Sequence, residues 1–202
     1  MSCCVNTGLT GVLALLLAMS TSAEEVGARW GTEKREREFY RVVSGPLPKG
    51  EVIEAGEFEL MPDNRLAVGT RRGDIFFING VDDEKPQPQF EKFAEGLDEI
   101  FGLAYRKDDK GDKGGLYVTH SAELTRVLDT NRDGKADRFL TISDAWGYRN
   151  YHEYAFGSKF DPQGNLYVAL GLSNSYHSRA LFRGWAMKIT PEGKSIPIAS
   201  GL

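Results

Sequence analysis

The chain has 202 residues, 41% hydrophobic residues, 27% charged residues and a net charge of -4. That balance is ordinary for a globular protein and lacks the basic stripe that nucleic-acid binding requires, so that class is excluded. The 23 glycines suit a turn-rich β protein better than a helical one.

Residues 1–23 carry no charged side chain, and Val12–Met19 forms a short apolar run followed by the small residues Thr21-Ser22-Ala23. The run is too short for a membrane span and predicts a secretory signal peptide, although its first residues lack the usual Lys or Arg. A buried N-terminal helix is the other reading. Removal of the signal gives a secreted or periplasmic chain with no transmembrane span. Cys3 and Cys4 both precede the apolar run, so the mature chain has neither a disulfide nor a c-type haem motif. Residues 24–45 are dense in charge, notably Glu33-Lys34-Arg35-Glu36-Arg37-Glu38, and read as a loose, solvated arm.

From residue 46 onward the chain repeats. Leu66-Ala67-Val68, Leu116-Tyr117-Val118 and Leu166-Tyr167-Val168 recur at a step of fifty, each after an apolar segment and a turn. Further β-like segments follow each triplet: Ile75–Ile78 and the Phe90–Leu97 region, then Leu124–Leu128 and Phe139–Ile142, then Trp185–Ile189 and Ile196–Ala199. A period of this size predicts stacked copies of one supersecondary unit, and several short antiparallel strands per unit predict a β-propeller. The fold class is all-β, with residues 46–202 forming about three four-stranded blades. The triplets read as the innermost strands. Three blades do not close a ring, and Ala199-Ser200-Gly201-Leu202 echoes the blade-joining Ala94-Glu95-Gly96-Leu97. The expectation is therefore the N-terminal part of a larger, six-bladed propeller.

Within the middle unit, Asp129-Thr130-Asn131-Arg132-Asp133-Gly134-Lys135-Ala136-Asp137 places oxygen groups at loop positions 1, 3, 5 and 9. Gly134 stands where the chain turns sharply, and the Lys135 carbonyl stands at position 7. Asp129, Asn131, Asp133, Lys135 and Asp137 are thus the expected calcium ligands. Leu140 replaces the bidentate Glu of such loops, which predicts weak affinity. The same residues also build a tight turn without any ion.

The chemically richest stretch runs from Tyr151 to Val168. His152 precedes the third blade's innermost strand, near the channel mouth where propellers bind ligands, and an imidazole accepts a proton near neutral pH. His120 at the end of a triplet strand, His177 in a polar loop, and Arg179 and Arg183 as anion contacts are weaker candidates. Trp146, Tyr148, Tyr151 and Tyr154 cluster before His152, as a sugar-binding platform or as packing between blades.

This stretch resembles the glucose/sorbosone dehydrogenase family of quinoprotein propellers, on His152, Gly157, Phe160-Asp161-Pro162, Gly164 and Leu166-Tyr167-Val168. Arg71-Arg72-Gly73, the Asp129–Asp137 loop and Arg183-Gly184-Trp185 resemble a branch of secreted bacterial proteins called membrane-bound dehydrogenases. The resemblance implies a sugar or small-alcohol substrate, pyrroloquinoline quinone (PQQ) as cofactor, a haem c electron acceptor, and His152 as the base. The family's Gly-Asp after the triplet strand is replaced by Gly171-Leu172-Ser173-Asn174, and its quinone-gripping basic residues come mostly from later blades. The alternative is a non-catalytic propeller that binds carbohydrate or a protein partner.

Overall fold

A computed structural model of the chain describes residues 33–40, 42–82, 85–107, 114–149, 152–172 and 179–201. The polypeptide divides into two units, 1–43 and 44–202. In the first, the charged arm forms one helical turn, α1 (Glu33–Glu36), rather than a structureless segment. Glu, Lys and Arg are good helix formers, which accounts for the turn. The expected signal peptide lies outside the described residues. Among the described residues, no helix is long and apolar enough to cross a membrane.

The second unit is built from three four-stranded antiparallel sheets, each a propeller-type blade. Blade 1 comprises β1 (Ala55–Leu60), β2 (Leu66–Thr70), β3 (Ile75–Asn79) and β4 (Gln89–Ala94). Blade 2 comprises β5 (Gly102–Arg106), β6 (Gly115–Thr119), β7 (Leu124–Leu128) and β8 (Arg138–Ser143). Blade 3 comprises β9 (Ala155–Phe160), β10 (Leu166–Leu170), β11 (Trp185–Ile189) and β12 (Ser195–Ser200). Strand order in each sheet follows chain order, so every connection is a simple hairpin.

The triplets occupy β2, β6 and β10, the second strand of each blade, which corrects their expected innermost position. The inner edge is formed by β1, β5 and β9, with β5 packed against both of the others. Register makes the blades directly comparable. Leu66 pairs with Ile78, Leu116 with Val127, and Leu166 with Ile189.

Both faces of the middle blade are buried, as stacked sheets require. Ala67, Ile75 and Phe77 of blade 1 pack on Leu103, Leu116 and Val118 of blade 2. Ala104 and Leu124 of blade 2 lie in a second core with Leu166, Val168, Met187 and Ile189 of blade 3. At the inner edge the backbones themselves touch. The Gly157 amide donates to the Phe101 carbonyl at 3.1 Å, and a Cβ on Gly102 would lie 1.8 Å from the Gly157 oxygen. Only glycine fits there.

Alternating strand direction sorts the connections into two ends. The β2–β3, β6–β7 and β10–β11 turns share one end with the links from blade to blade. The β1–β2, β5–β6 and β9–β10 turns and the loops β3–β4, β7–β8 and β11–β12 share the other.

The first end is braced by Arg183, only 7% exposed. Its Nε and Nη2 donate to the Gly147 carbonyl, Nη2 also donates to Ser121 O at 3.0 Å, and Nη1 donates to Tyr154 O at 2.8 Å. One guanidinium thus ties together three loops that leave different strands. Burial lowers its pKa, partly opposed by the Glu153 carboxylate, which is itself 1% exposed. Arg183→Met keeps the side chain's bulk but removes all of these donors, leaving the Gly147 carbonyl bare while Tyr154 O keeps the Gly171 amide and Ser121 O keeps the Trp146 indole. The expected loss is roughly 2–4 kcal/mol of unfolding free energy, read by denaturant titration. A change within about 0.5 kcal/mol, the range of ordinary surface substitutions, would contradict the bracing role.

Candidate functional site

His152 is half-buried and sits in the link that enters β9, at the end braced by Arg183. Around Tyr154, in the same link, side chains meet from all three blades. Arg71, in the β2–β3 turn, donates through Nη2 to Glu99 Oε1 at 3.0 Å and to the Tyr154 hydroxyl at 3.4 Å. Ser121, in the β6–β7 turn, donates to the other Glu99 oxygen at 3.5 Å. The hydrogen bond to Glu99 holds the Arg71 pKa above its ordinary value. Glu99 has φ +32°, a left-handed backbone rare for a non-glycine residue.

Beneath this polar group lies an aromatic ledge. Tyr154 meets Phe101 edge-on at 4.9 Å, and Phe156 stands 5.3 Å from Phe101 and 5.7 Å from Tyr154 between ring centroids. Phe156 remains 41% exposed, so the ledge presents an apolar ring to solvent beside hydrogen-bonding groups.

The predicted aromatic cluster divides. Trp146 is buried and donates through Nε1 to the Ser121 carbonyl at 3.2 Å, so it packs between blades. Tyr148 is half-open, with its pKa raised by burial and by the nearby Asp98 and Glu99 charges. Tyr154 belongs to the ledge, and Tyr151 lies outside the described residues, as does His177.

His120 is buried. It follows β6, is 7% exposed, and its Nε2 lies 3.0 Å from Thr125 Oγ1. The Thr125 hydroxyl donates to Glu123, so the imidazole must donate through Nε2. Burial pushes its pKa down, with Glu123 and Asp98 opposing. That is a buried, hydrogen-bonded imidazole in a turn. Arg179 is exposed, and Arg183 is engaged by backbone carbonyls rather than held open for an anion.

The Asp129–Asp137 loop joins β7 to β8 and therefore lies at the opposite end from His152. Asp129 accepts from the Arg132 and Gly134 amides at 2.6 and 3.0 Å, and Asp133 accepts from the Lys135 amide at 2.9 Å. Asn131 accepts from the Asp133 amide, and Asp137 accepts from the Thr130 amide and hydroxyl and the Asn131 amide. The Thr130 amide bond leads the causes that lower the Asp137 pKa. Among the described residues, no group of three or more His, Cys, Asp or Glu side chains converges as metal ligands.

Reading the sequence alone misses Glu99, Phe101 and Phe156 as neighbours of the His152 link. Their one advance signal is position: Glu99 and Phe101 just precede β5, and Phe156 is at the start of β9.

No protein-family model matches the chain, and no curated protein matches it. Among solved structures, it is similar to the "putative oxidoreductase (glucose dehydrogenase)" of Thermus thermophilus, at 18% identity and a TM-score of 0.44. The match covers 70% of this chain and 46% of that one, so this chain spans about half the length of that structure. A likeness at that level carries no argument about activity.

Proposed function

We propose that this chain contributes to an exported dehydrogenase that oxidises a sugar or small alcohol, with His152 accepting the hydroxyl proton. The observation that carries the reading is the end of the blades at which His152 stands. A half-buried imidazole sits at the end where Arg71, Glu99 and Tyr154 converge from separate blades over the Phe101–Tyr154–Phe156 ledge. A ring lying on the ledge would present its hydroxyls to the polar group, and the base would take a proton from the carbon-bound hydroxyl being oxidised.

The family resemblance brings PQQ, a multiply charged anionic quinone, as the expected hydride acceptor. The described residues do not fit it. Arg71 is tied to Glu99, and Arg183 is buried on three carbonyls. Only the proton is therefore assigned to this chain, and no step is routed through the quinone. The haem c acceptor belongs to the same proposal.

A second reading, carbohydrate recognition without catalysis, is favoured by one observation: Arg71 and Arg183 are held by the protein's own groups while the aromatic ledge stays open. The two readings separate in one experiment. Dye-linked oxidation of sugars is measured on the full-length protein with added PQQ, alongside glycan binding. The dehydrogenase reading expects turnover that His152→Ala lowers by about 10²–10⁴-fold, the usual worth of a general base, with sugar affinity and circular dichroism retained. Unchanged turnover in the variant removes the base. Binding without turnover in the wild type moves the function to recognition.

We further propose that Asp129, Asn131, Asp133, the Lys135 carbonyl and Asp137 take up calcium. Support comes from the left-handed backbone at Arg132 (φ +68°) and Gly134 (φ +88°), which curls the loop tightly as calcium loops require. Calcium at millimolar concentration is then expected to raise the melting temperature, with Asp129→Asn and Asp133→Asn abolishing the rise. Equal melting temperatures in calcium and in chelator would leave the loop a hydrogen-bonded turn.

A further inference from the structure

The two blade interfaces are alike in register and unlike in filling. Between blades 2 and 3, at the end opposite His152, Tyr117 packs edge-on against Phe160 at 5.0 Å. Arg106 reaches across to donate to the Gly164 carbonyl at 3.1 Å. The space left there is about 10 Å³. At the corresponding place between blades 1 and 2 the cavity is about 290 Å³.

Side-chain size explains the difference. Strand pairing sets Ala67 where blade 2 has Tyr117, since Ala67 faces Phe77 as Tyr117 faces Arg126. By the same alignment, Met61 stands close to where Arg106 does. The interface that lacks a tyrosine ring and an arginine retains a hollow at the low end of the range for ligand cavities, roughly 300–1,000 Å³.

Its walls are apolar and aromatic, with Phe77, Phe93 and Tyr105 around Leu116 and Val127. Its rim carries four charges, Asp63, Arg65, Asp129 and Arg132. Asp63 holds Arg65 at 2.9 Å, and Arg65 also lies over the Phe77 ring at 4.1 Å. Asp129 already accepts two backbone amides. Arg132 is different: its guanidinium makes no hydrogen bond or ion pair among the described residues.

We propose that this cavity is a binding site for a small aromatic carboxylate, with its ring against the wall that Tyr105 and the contacting pair Phe77 and Phe93 help to form and its carboxylate on Arg132. Nothing in the dehydrogenase reading requires it, and it lies at the other end of the blades from His152. An apolar body fits the walls, and an anion matches the one rim charge without a partner among the described residues. The Arg132 backbone, at φ +68°, belongs to the loop that closes the rim.

The test is calorimetric titration of the full chain with phenylacetate and with 2-phenylethanol, a neutral probe of similar shape. The expected result is saturable one-to-one binding of phenylacetate at millimolar concentrations or below. Affinity should fall about tenfold for 2-phenylethanol and about fivefold for Arg132→Gln, as loss of one exposed charged contact implies. Ala67→Tyr restores the ring found at the other interface and should abolish binding. Absence of saturable phenylacetate binding overturns the proposal. So does equal binding of the two probes, or retained binding in a folded Ala67→Tyr protein. Should that variant fail to fold, Arg132→Gln decides, because its side chain is on an exposed loop. Unaltered phenylacetate affinity there rejects the site. Sugar oxidation and its dependence on His152 are read separately, so neither proposal stands or falls with the other.

Discussion

The structure depends on how closely neighbouring inner strands approach one another. At Gly102 and Gly157 two backbones meet with no room for a side chain, and the Gly157 amide completes its hydrogen bonding on the next blade's Phe101 carbonyl. A similar restriction holds Gly56 beside the Ile100 carbonyl, where a Cβ would sit 2.1 Å from the oxygen. These contacts fix the angular step between sheets before any large side chain is placed. Polar side chains then reinforce the step. Thr119 and Ser158 share a buried hydrogen bond of 2.6 Å, and the Tyr105 amide donates to Glu59 at 2.9 Å across the first interface. The blades are consequently held in a geometry that side-chain variation can decorate without disturbing.

That division explains why the repeat is plain in some strands and hidden in others. The second strands are largely buried on both faces, so their Leu and Val positions stand out as triplets at a fixed step. The inner strands β1, β5 and β9 use glycine where backbones touch and mix charged residues such as Glu57, Glu59 and Lys159 with exposed apolar ones such as Phe58 and Leu60. Such a mixture has no clean two-residue period, which leaves the triplets as the strongest strand signal and makes them read as innermost. The acidic loop, the hairpin turns and the link carrying His152 are all legible because turn chemistry is local. The role of Arg183 is not. Its partners, Ser121, Gly147 and Tyr154, are backbone carbonyls as far as 62 residues away, and nothing in their side chains announces an arginine.

The two ends of the blades use different physics to order their loops. At the end opposite His152, carboxylates cap their own turns: Asp63 accepts from the Arg65 amide, and Asp161 from the Asn165 amide at 2.8 Å. These bonds span a few residues each and leave the loops independent of one another. The Asp129–Asp137 loop follows the same habit, which is why its acidic composition alone does not distinguish an ion site from a well-made turn.

At the His152 end the ordering is long-range. Arg183, Glu153, Trp146 and His120 are buried, and the Arg183 and Trp146 donors reach loops from different blades. Burying such groups is unfavourable unless their hydrogen bonds are met, so the network holds together or fails as a unit. A loop set of that kind holds in place the link that carries both His152 and Tyr154, which the proposed proton transfer requires. The same rigidity limits what the site accepts. With Arg71 on Glu99 and Arg183 on backbone carbonyls, both guanidinium groups are already engaged beside the exposed Phe156 ring. On the proposed function, that setting favours a neutral polyol over a ligand dominated by anionic groups.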